Sequence, residues 1–200
     1  MNLQARVISI LTKPQVEWPT IAAEHGTVAG ICSGYVMILA AIPAIATFIG
    51  TTVFGVTLPL VGTYRVGIVQ GFATLVLTYV LSVVAVYVAA FVVQKLAPTF
   101  QSDPNLVQAY KLVAYAMTPS WVAGVLYIIP QLGLLVMLAG LYGIYLFYLG
   151  VTPVMKTPQD KVIPYMITAA VVVIVVSVLM GIVGGALTGA FFGMPRVGTL

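Results

Sequence analysis

The single histidine, His25, stands next to Glu24, with Glu17 and Cys32 close by on either side. An imidazole, two carboxylates and a thiol are all metal-ligating groups. Strung along a segment that runs from water into an apolar stretch, they form a mixed donor set that suits no single metal. His25 reads instead as an interfacial polar residue, and no metal or other cofactor is expected. Hydroxyls are the next candidates. The stretch "YAMTPSWVAGVLYIIPQLG", residues 115–133, carries Thr118 and Ser120 on either side of Pro119, and Thr74, Thr78 and Ser82 join Gly67 and Gly71 in a small, weakly polar stripe. Such groups repair and pack helices, or they line a path for a solute. Tyr142, Tyr145 and Tyr148 fall within about 9 Å along one helix, as an interfacial anchor or as an aromatic lining for a ligand. General acid–base catalysis needs a poised ionisable group, and no charged residue falls within the long apolar stretches. An enzyme is therefore not expected. Ion-coupled transport relies on intramembrane carboxylate, His or Lys, so its absence from those stretches leaves only an uncharged pore or a lipid pathway open.

The elements that carry these residues follow from composition. Of 200 residues 62% are hydrophobic and only 6% charged, too few charges to cover a water-exposed surface. The sequence is that of an all-α integral membrane protein, because sheet edges are not satisfied in lipid and the alternation of a membrane barrel is missing. Roughly 20 apolar residues cross the hydrocarbon core, which predicts five transmembrane helices over residues 28–50, 66–93, 112–129, 132–151 and 162–188. The second and fifth exceed the bilayer and should tilt or project. With the amino end inside, six basic residues (Arg6, Lys13, Lys95, Lys111, Lys156 and Lys161) lie on the cytoplasmic side and two, Arg65 and Arg196, outside. The bacterial cytoplasmic (inner) membrane is the expected location, with the carboxyl end outside. The net charge of +4 reflects this bias, and scattered basic residues predict no nucleic-acid partner. Residues 1–27 form a cytoplasmic segment, 28–188 the transmembrane domain and 189–200 a short outer tail. Leu3, Val7, Ile10 and Leu11 repeat at helical spacing, predicting an amphipathic helix in the inner headgroup layer that stops at Pro14. No cleaved signal peptide is expected, and a lone Cys32 excludes an intrachain disulfide.

Within that frame the stretch at 115–133 gains a structural meaning. Pro119 has no N–H for the carbonyl of Tyr115 and its ring crowds that carbonyl, which predicts a kink in the third helix. Thr118 can fold its hydroxyl back onto the freed carbonyl. Ala116, Ser120 and Gly124 recur every four residues as a strip of small side chains suited to close helix packing. A turn at Pro130–Gly133 then returns the chain to the membrane. Ser177, Gly181, Gly185 and Gly189 repeat the pattern along the fifth span, and Gly26, Gly30 and Gly34 at the start of the first. The fifth-span strip faces another helix of the chain or a second copy.

"LTKPQVEWPTIAAEHGTVAGI", leading into the first span, together with "AYAMTPSWVAGVLYIIPQLGLLVMLAGLYGIYLFYLG" across the third and fourth, resembles prokaryotic members of the Yip1 domain family. The resemblance covers roughly residues 9–185. It implies five spans with the amino end inside. Eukaryotic members of that family are trafficking proteins that interact with Rab GTPases and one another, partly through a cytosolic amino-terminal region. The Asp-Leu-Tyr-Gly-Pro motif of that region is missing here, so a Rab-type GTPase partner is not expected. Two kinds of function remain. One is a non-enzymatic membrane protein acting through helix–helix association, as a homo-oligomer or with other membrane proteins, to organise the lipid bilayer or its partners. The other is a channel or transporter for a neutral or weakly polar solute.

Overall fold

The computed structural model describes residues 2–58 and 62–192; side chains at 57 and 58, and beyond Val175 all except Val178 and Ile182, fall outside that description. Two short helices open the chain, α1 (Leu3–Thr12) and α2 (Pro14–Ala23). Asn2 caps α1 by accepting from the Ala5 N–H at 2.8 Å, and Pro14 starts α2 at a position where its missing N–H is harmless. The first long apolar run, Val28–Phe54, is helical throughout but not uniform. It comprises α3 (Val28–Ile31), a π-helical turn at Cys32–Val36, α4 (Met37–Ile49) and a second π-helical turn at Gly50–Phe54. Gly55, at φ +82°, then turns the chain into a two-stranded antiparallel hairpin of β1 (Val56–Leu58) and β2 (Gly62–Tyr64). This hairpin departs from the expectation of helices alone; as a short connection it does not need to cross lipid.

Next come α5 (Ile68–Leu96), α6 (Leu106–Ala116), α7 (Thr118–Ala123), α8 (Gly133–Met155) and α9 (Gln159–Phe192), with short 3₁₀ turns at Ala97–Phe100, Gly124–Ile128 and Pro130–Leu132. The 29 residues of α5 span about 44 Å at 1.5 Å per residue, well beyond the ~30 Å hydrocarbon core. Asn105 caps α6 by accepting from the Val107 and Gln108 N–H groups. Lys156, at φ +54°, ends α8 in the left-handed conformation common just past a helix. Among the described residues three helical runs are long and apolar enough to cross a membrane: Val28–Phe54, Ile68–Phe100 and Pro130–Met155. The predicted third span is not one kinked helix. It breaks at Met117, two residues before Pro119, into α6 and α7, and then tightens into 3₁₀ turns.

The outward faces are greasy. Ile68, Val69, Phe72, Val76, Val80 and Val84 are all exposed down α5, as are Leu134, Met137, Leu141 and Ile144 on α8. Water would make such a surface very costly and lipid does not, so the molecule is an all-α membrane protein. Inside, aromatic rings fill the bundle: Trp18, Tyr35, Tyr110, Tyr115, Trp121 and Tyr165 are buried. At one end the Ser102 and Thr157 hydroxyls meet at 2.8 Å and the Asp103 N–H donates to the Met155 carbonyl. At the other, Gly50 lies directly against the carbonyl of Tyr127.

Candidate functional site

The amino-terminal segment is packed into the bundle. Ile10, Trp18 and Ile21 have essentially no exposed surface, and α2 lies along α8. Gly150 of α8 makes the approach possible: a methyl group there would stand 2.6 Å from Leu112 and 2.7 Å from the Trp18 ring. Arg6 lies on the buried side of α1, one turn from Ile10, and is only 5% exposed. Arg6 is not one of the apolar positions Leu3, Val7, Ile10 and Leu11, yet the packing buries it beside Ile10.

What holds Arg6 there is a set of charges. Its guanidinium donates from Nη1 to the Glu17 carboxylate and from Nη2 to that of Glu24, and sits 5.5 Å from the centre of the Tyr115 ring. Burial opposes its charge, but the hydrogen bond and charge of Glu24, with Tyr115 and Glu17, outweigh that and raise its affinity for the proton above the ordinary value. Beside it, Lys111, midway along α6, is 3% exposed. Its ammonium donates to the carbonyls of Ile21, at 2.8 Å, and Glu24, while Gln108 Nε2 donates to the carbonyl of Ala22 at 3.0 Å. These carbonyls are the orphan acceptors at the end of α2, so α6 caps α2 from the side. Burial holds the Lys111 ammonium below its ordinary value, with Glu24 opposing and Arg6 adding to the shift. Tyr142 completes the attachment by donating to the Leu11 carbonyl at 2.9 Å.

The break in the predicted third span adjoins this cluster. Thr118, fully buried, donates to the Tyr115 carbonyl at 2.7 Å, the acceptor that Pro119 leaves without its backbone donor. With the Thr118 proton so engaged, the Tyr35 hydroxyl donates to Thr118 Oγ1, also at 2.7 Å. Tyr35 sits in the π-helical turn Cys32–Val36, a local widening that re-aims a side chain without ending the helix. Its ring meets that of Tyr115 edge-on, 4.7 Å between centres. Pro119 lies in the first turn of α7, where a proline is tolerated.

The small-residue strip at Ala116, Ser120 and Gly124 meets two helices. The Ala116 carbonyl would be 2.8 Å from a methyl on Gly143 of α8, Ser120 Oγ is 3.7 Å from the same point on Gly140, and a methyl on Gly124 would reach 2.6 Å from Pro43 of α4. In contrast, a methyl on Gly34 would meet nothing within 4 Å, so the strip at Gly26, Gly30 and Gly34 makes no close approach there. Ser177, Gly181, Gly185 and Gly189 belong to the helical backbone of α9, but their side-chain surroundings lie outside the described residues. Thr74 and Thr78 donate to the carbonyls of Gln70 and Thr74, and Ser82 to that of Tyr79, so these three hydroxyls bond their own helix. Tyr145 and Tyr148 are exposed, unlike Tyr142. His25 is exposed and both glutamates beside it engage Arg6; among the described residues no three metal-ligating side chains gather.

Arg6, Lys111, Gln108 and Tyr35 are the members that sequence reasoning missed. One legible signal existed: Arg6 interrupts the stripe Leu3, Arg6, Ile10, and two glutamates follow at 17 and 24, two helical turns apart.

Taken together, these features define a multi-span α-helical membrane protein whose amino-terminal helices are ion-paired to each other and hydrogen-bonded onto one end of the bundle. The chain belongs to the Yip1 domain family, whose model matches residues 8–182. It is similar to the inner membrane protein YohC of Escherichia coli strain K12, 26% identical over 182 residues that cover 89% of this chain and 93% of the relative. The protein of the same name from Escherichia coli O6:H1 matches at the same identity and coverage. No solved structure matches the chain.

Proposed function

We propose that this protein is a five-span protein of the bacterial inner membrane that works by association, organising the bilayer or partner proteins, and performs no catalysis. The observation that carries this reading is how the polar groups are used. Arg6, Glu17 and Glu24 pair with one another within the amino-terminal segment, Lys111 ties that segment to the bundle, and the hydroxyls of Thr74, Thr78 and Ser82 bond their own helix. The outward surface of the long helices is then apolar, a surface for lipid and for other helices. The name of the YohC relatives supports the inner membrane as the location. Five spans count the broken third helix as a crossing and α9 as the fifth. The contacts of residues 21–24 with Lys111, and of Ser102 with Thr157, support one common face for residues 1–27 and two of the connections. The positive-inside bias makes that face cytoplasmic and the carboxyl end external. The strip Ser177, Gly181, Gly185 and Gly189 is the proposed association face, between copies or within the chain.

The test is flux. Purified protein in liposomes should leave glycerol and urea permeation at the rate of empty liposomes. Protein-dependent permeation of either solute would overturn the reading in favour of a neutral-solute channel. The orientation is checked by a reporter active only in the cytoplasm: activity is expected from an amino-terminal fusion, and activity from a carboxyl-terminal one would refute the five-span count.

A further inference from the structure

A cleft of about 220 Å3 lies among α5, the α6–α7 break, α8 and α9. Small residues from all four sides leave the space: Ala89, Ala116, Gly140, Gly143 and Ala169 line it. Ser120 supplies its one hydroxyl; the remaining lining is hydrocarbon and thioether. An engineered apolar cavity of ~150 Å3 takes up benzene, so a space of this size accepts a slender apolar ligand. It is also reachable, because Met117 and Ile144 on its wall are 40% and 58% exposed on the outward surface. At that surface the medium is lipid, and the apolar ligand at hand is an acyl chain.

The helix ends beside the cleft supply a headgroup site. Val93 on the cleft wall lies at the inner end of α5, where the Tyr165 hydroxyl of α9 donates to its carbonyl. The same end carries three cations: exposed Lys95, its ammonium 5.3 Å from the centre of the Phe91 ring, exposed Lys156 just past α8, and Lys161 in the first turn of α9. Two carboxylates face them, Asp103 at 3.7 Å from Lys156 and Asp160 at 3.7 Å from Lys161. A net positive charge remains at the helix ends beside the apolar slot. We infer that the cleft binds one acyl chain of an anionic phospholipid of the inner leaflet, with the headgroup phosphate drawn to Lys95, Lys156 and Lys161.

The experiment uses the full chain in phosphatidylcholine vesicles carrying a trace of phosphatidylglycerol, or of phosphatidylcholine, with a photoactivatable acyl chain. Cross-links mapped by mass spectrometry should be several-fold denser at Met117, Ile144 and Phe147 than at Phe72 and Val76 on the exposed face of α5. Gly140→Leu adds a side chain into open space, its first carbon in ordinary contact with Ser120 Oγ at 3.7 Å, and should reduce the cleft signal to the α5 level. Ala170→Leu, at the exposed rim, is the second filler. Replacing Lys95, Lys156 and Lys161 together with Gln should abolish the preference for the anionic probe. Even labelling over all outward faces, or labelling that survives both fillers, overturns the site; equal labelling of the parent by both probes overturns the headgroup assignment.

Discussion

Replacing Arg6 with Met tests whether the buried charges hold the amino-terminal segment in place. Methionine keeps most of the length and apolar stem of arginine, so the change removes charge and donors more than volume. Two carboxylates then lose their partner, and they differ. The Glu24 side chain is 38% exposed and is rehydrated, so its loss adds little. Glu17 is 8% exposed and has no such escape. Breaking a buried ion pair from one side costs about 3–5 kcal/mol. A carboxylate in that position can take up a proton instead, which at pH 7 costs ~3.7 kcal/mol, at 1.36 kcal/mol for each unit above the ordinary glutamate value of ~4.3. The smaller of the two routes operates, so the expected loss is about 3 kcal/mol, or ~6–12 °C in Tm for a chain of this size. The measurement is thermal unfolding in mild detergent, with cleavage by a glutamate-specific protease after the buried Glu17 as a local readout. Adding Glu17→Gln should recover more than half of the loss, since a neutral amide needs no counter-charge. The loss should also shrink as pH falls from 7 towards 5, because proton uptake by an unpaired carboxylate then becomes cheaper. An Arg6→Met protein that melts within about 1 °C of the parent and resists the glutamate-specific protease equally would refute the reasoning.

Thr118→Val keeps the shape but removes the donor to the Tyr115 carbonyl and the acceptor for Tyr35, leaving two buried groups unpaired; a loss of ~2–4 kcal/mol is expected by the same thermal measurement, against about 1 kcal/mol for Tyr35→Phe. Gly150→Ala forces a methyl to within 2.6–2.8 Å of Leu112 and Trp18 and should speed glutamate-specific cleavage after Glu17, whereas Gly34→Ala meets nothing and should match the parent. Pro119→Ala should change stability by less than about 1 kcal/mol and should not fuse α6 with α7 in hydrogen exchange, because the break lies at Met117 and is bonded by Thr118 and Tyr35.

How far the sequence carried this reading depended on the range of the interaction. Apolar runs report their own length, so residues 28–50, 66–93 and 132–151 match long helices that end within a few residues of those limits. The third stretch was harder. Pro119 announces a disturbance, but the interruption appears two residues earlier, where Thr118 bonds the Tyr115 carbonyl and is itself held by Tyr35, 83 positions away. A bond across that separation leaves no local trace. Strips of small residues were ambiguous for the same reason. Gly124 and the Gly34 strip look alike in sequence, yet Pro43 crosses one and nothing crosses the other. Burial of charge was hidden more deeply. Lys111 precedes an apolar stretch, as a lysine anchored in the headgroup layer would, and only the end of α2 with its unpaired carbonyls makes a buried ammonium acceptable there.

Tyr115 joins these separate features into one unit. Its ring carries Arg6 on one side and meets Tyr35 at 4.7 Å and Trp18 at 6.5 Å, while its carbonyl takes the Thr118 proton. The amino-terminal segment reaches the ring through Arg6 and Trp18, and the helix break reaches the same residue through Thr118. Lys111, one helical turn before Tyr115 on α6, holds the end of α2. Lifting α1 and α2 away would therefore strip the charge and the indole from one side of Tyr115 and leave Lys111 buried without its acceptors, next to a helix that is already broken. Ala116 and Met117, the next two residues, line the apolar cleft. Attachment of the segment, the shape of the break and the mouth of the cleft thus rest on three consecutive residues, and a partner that drew the segment off the bundle would act on all three.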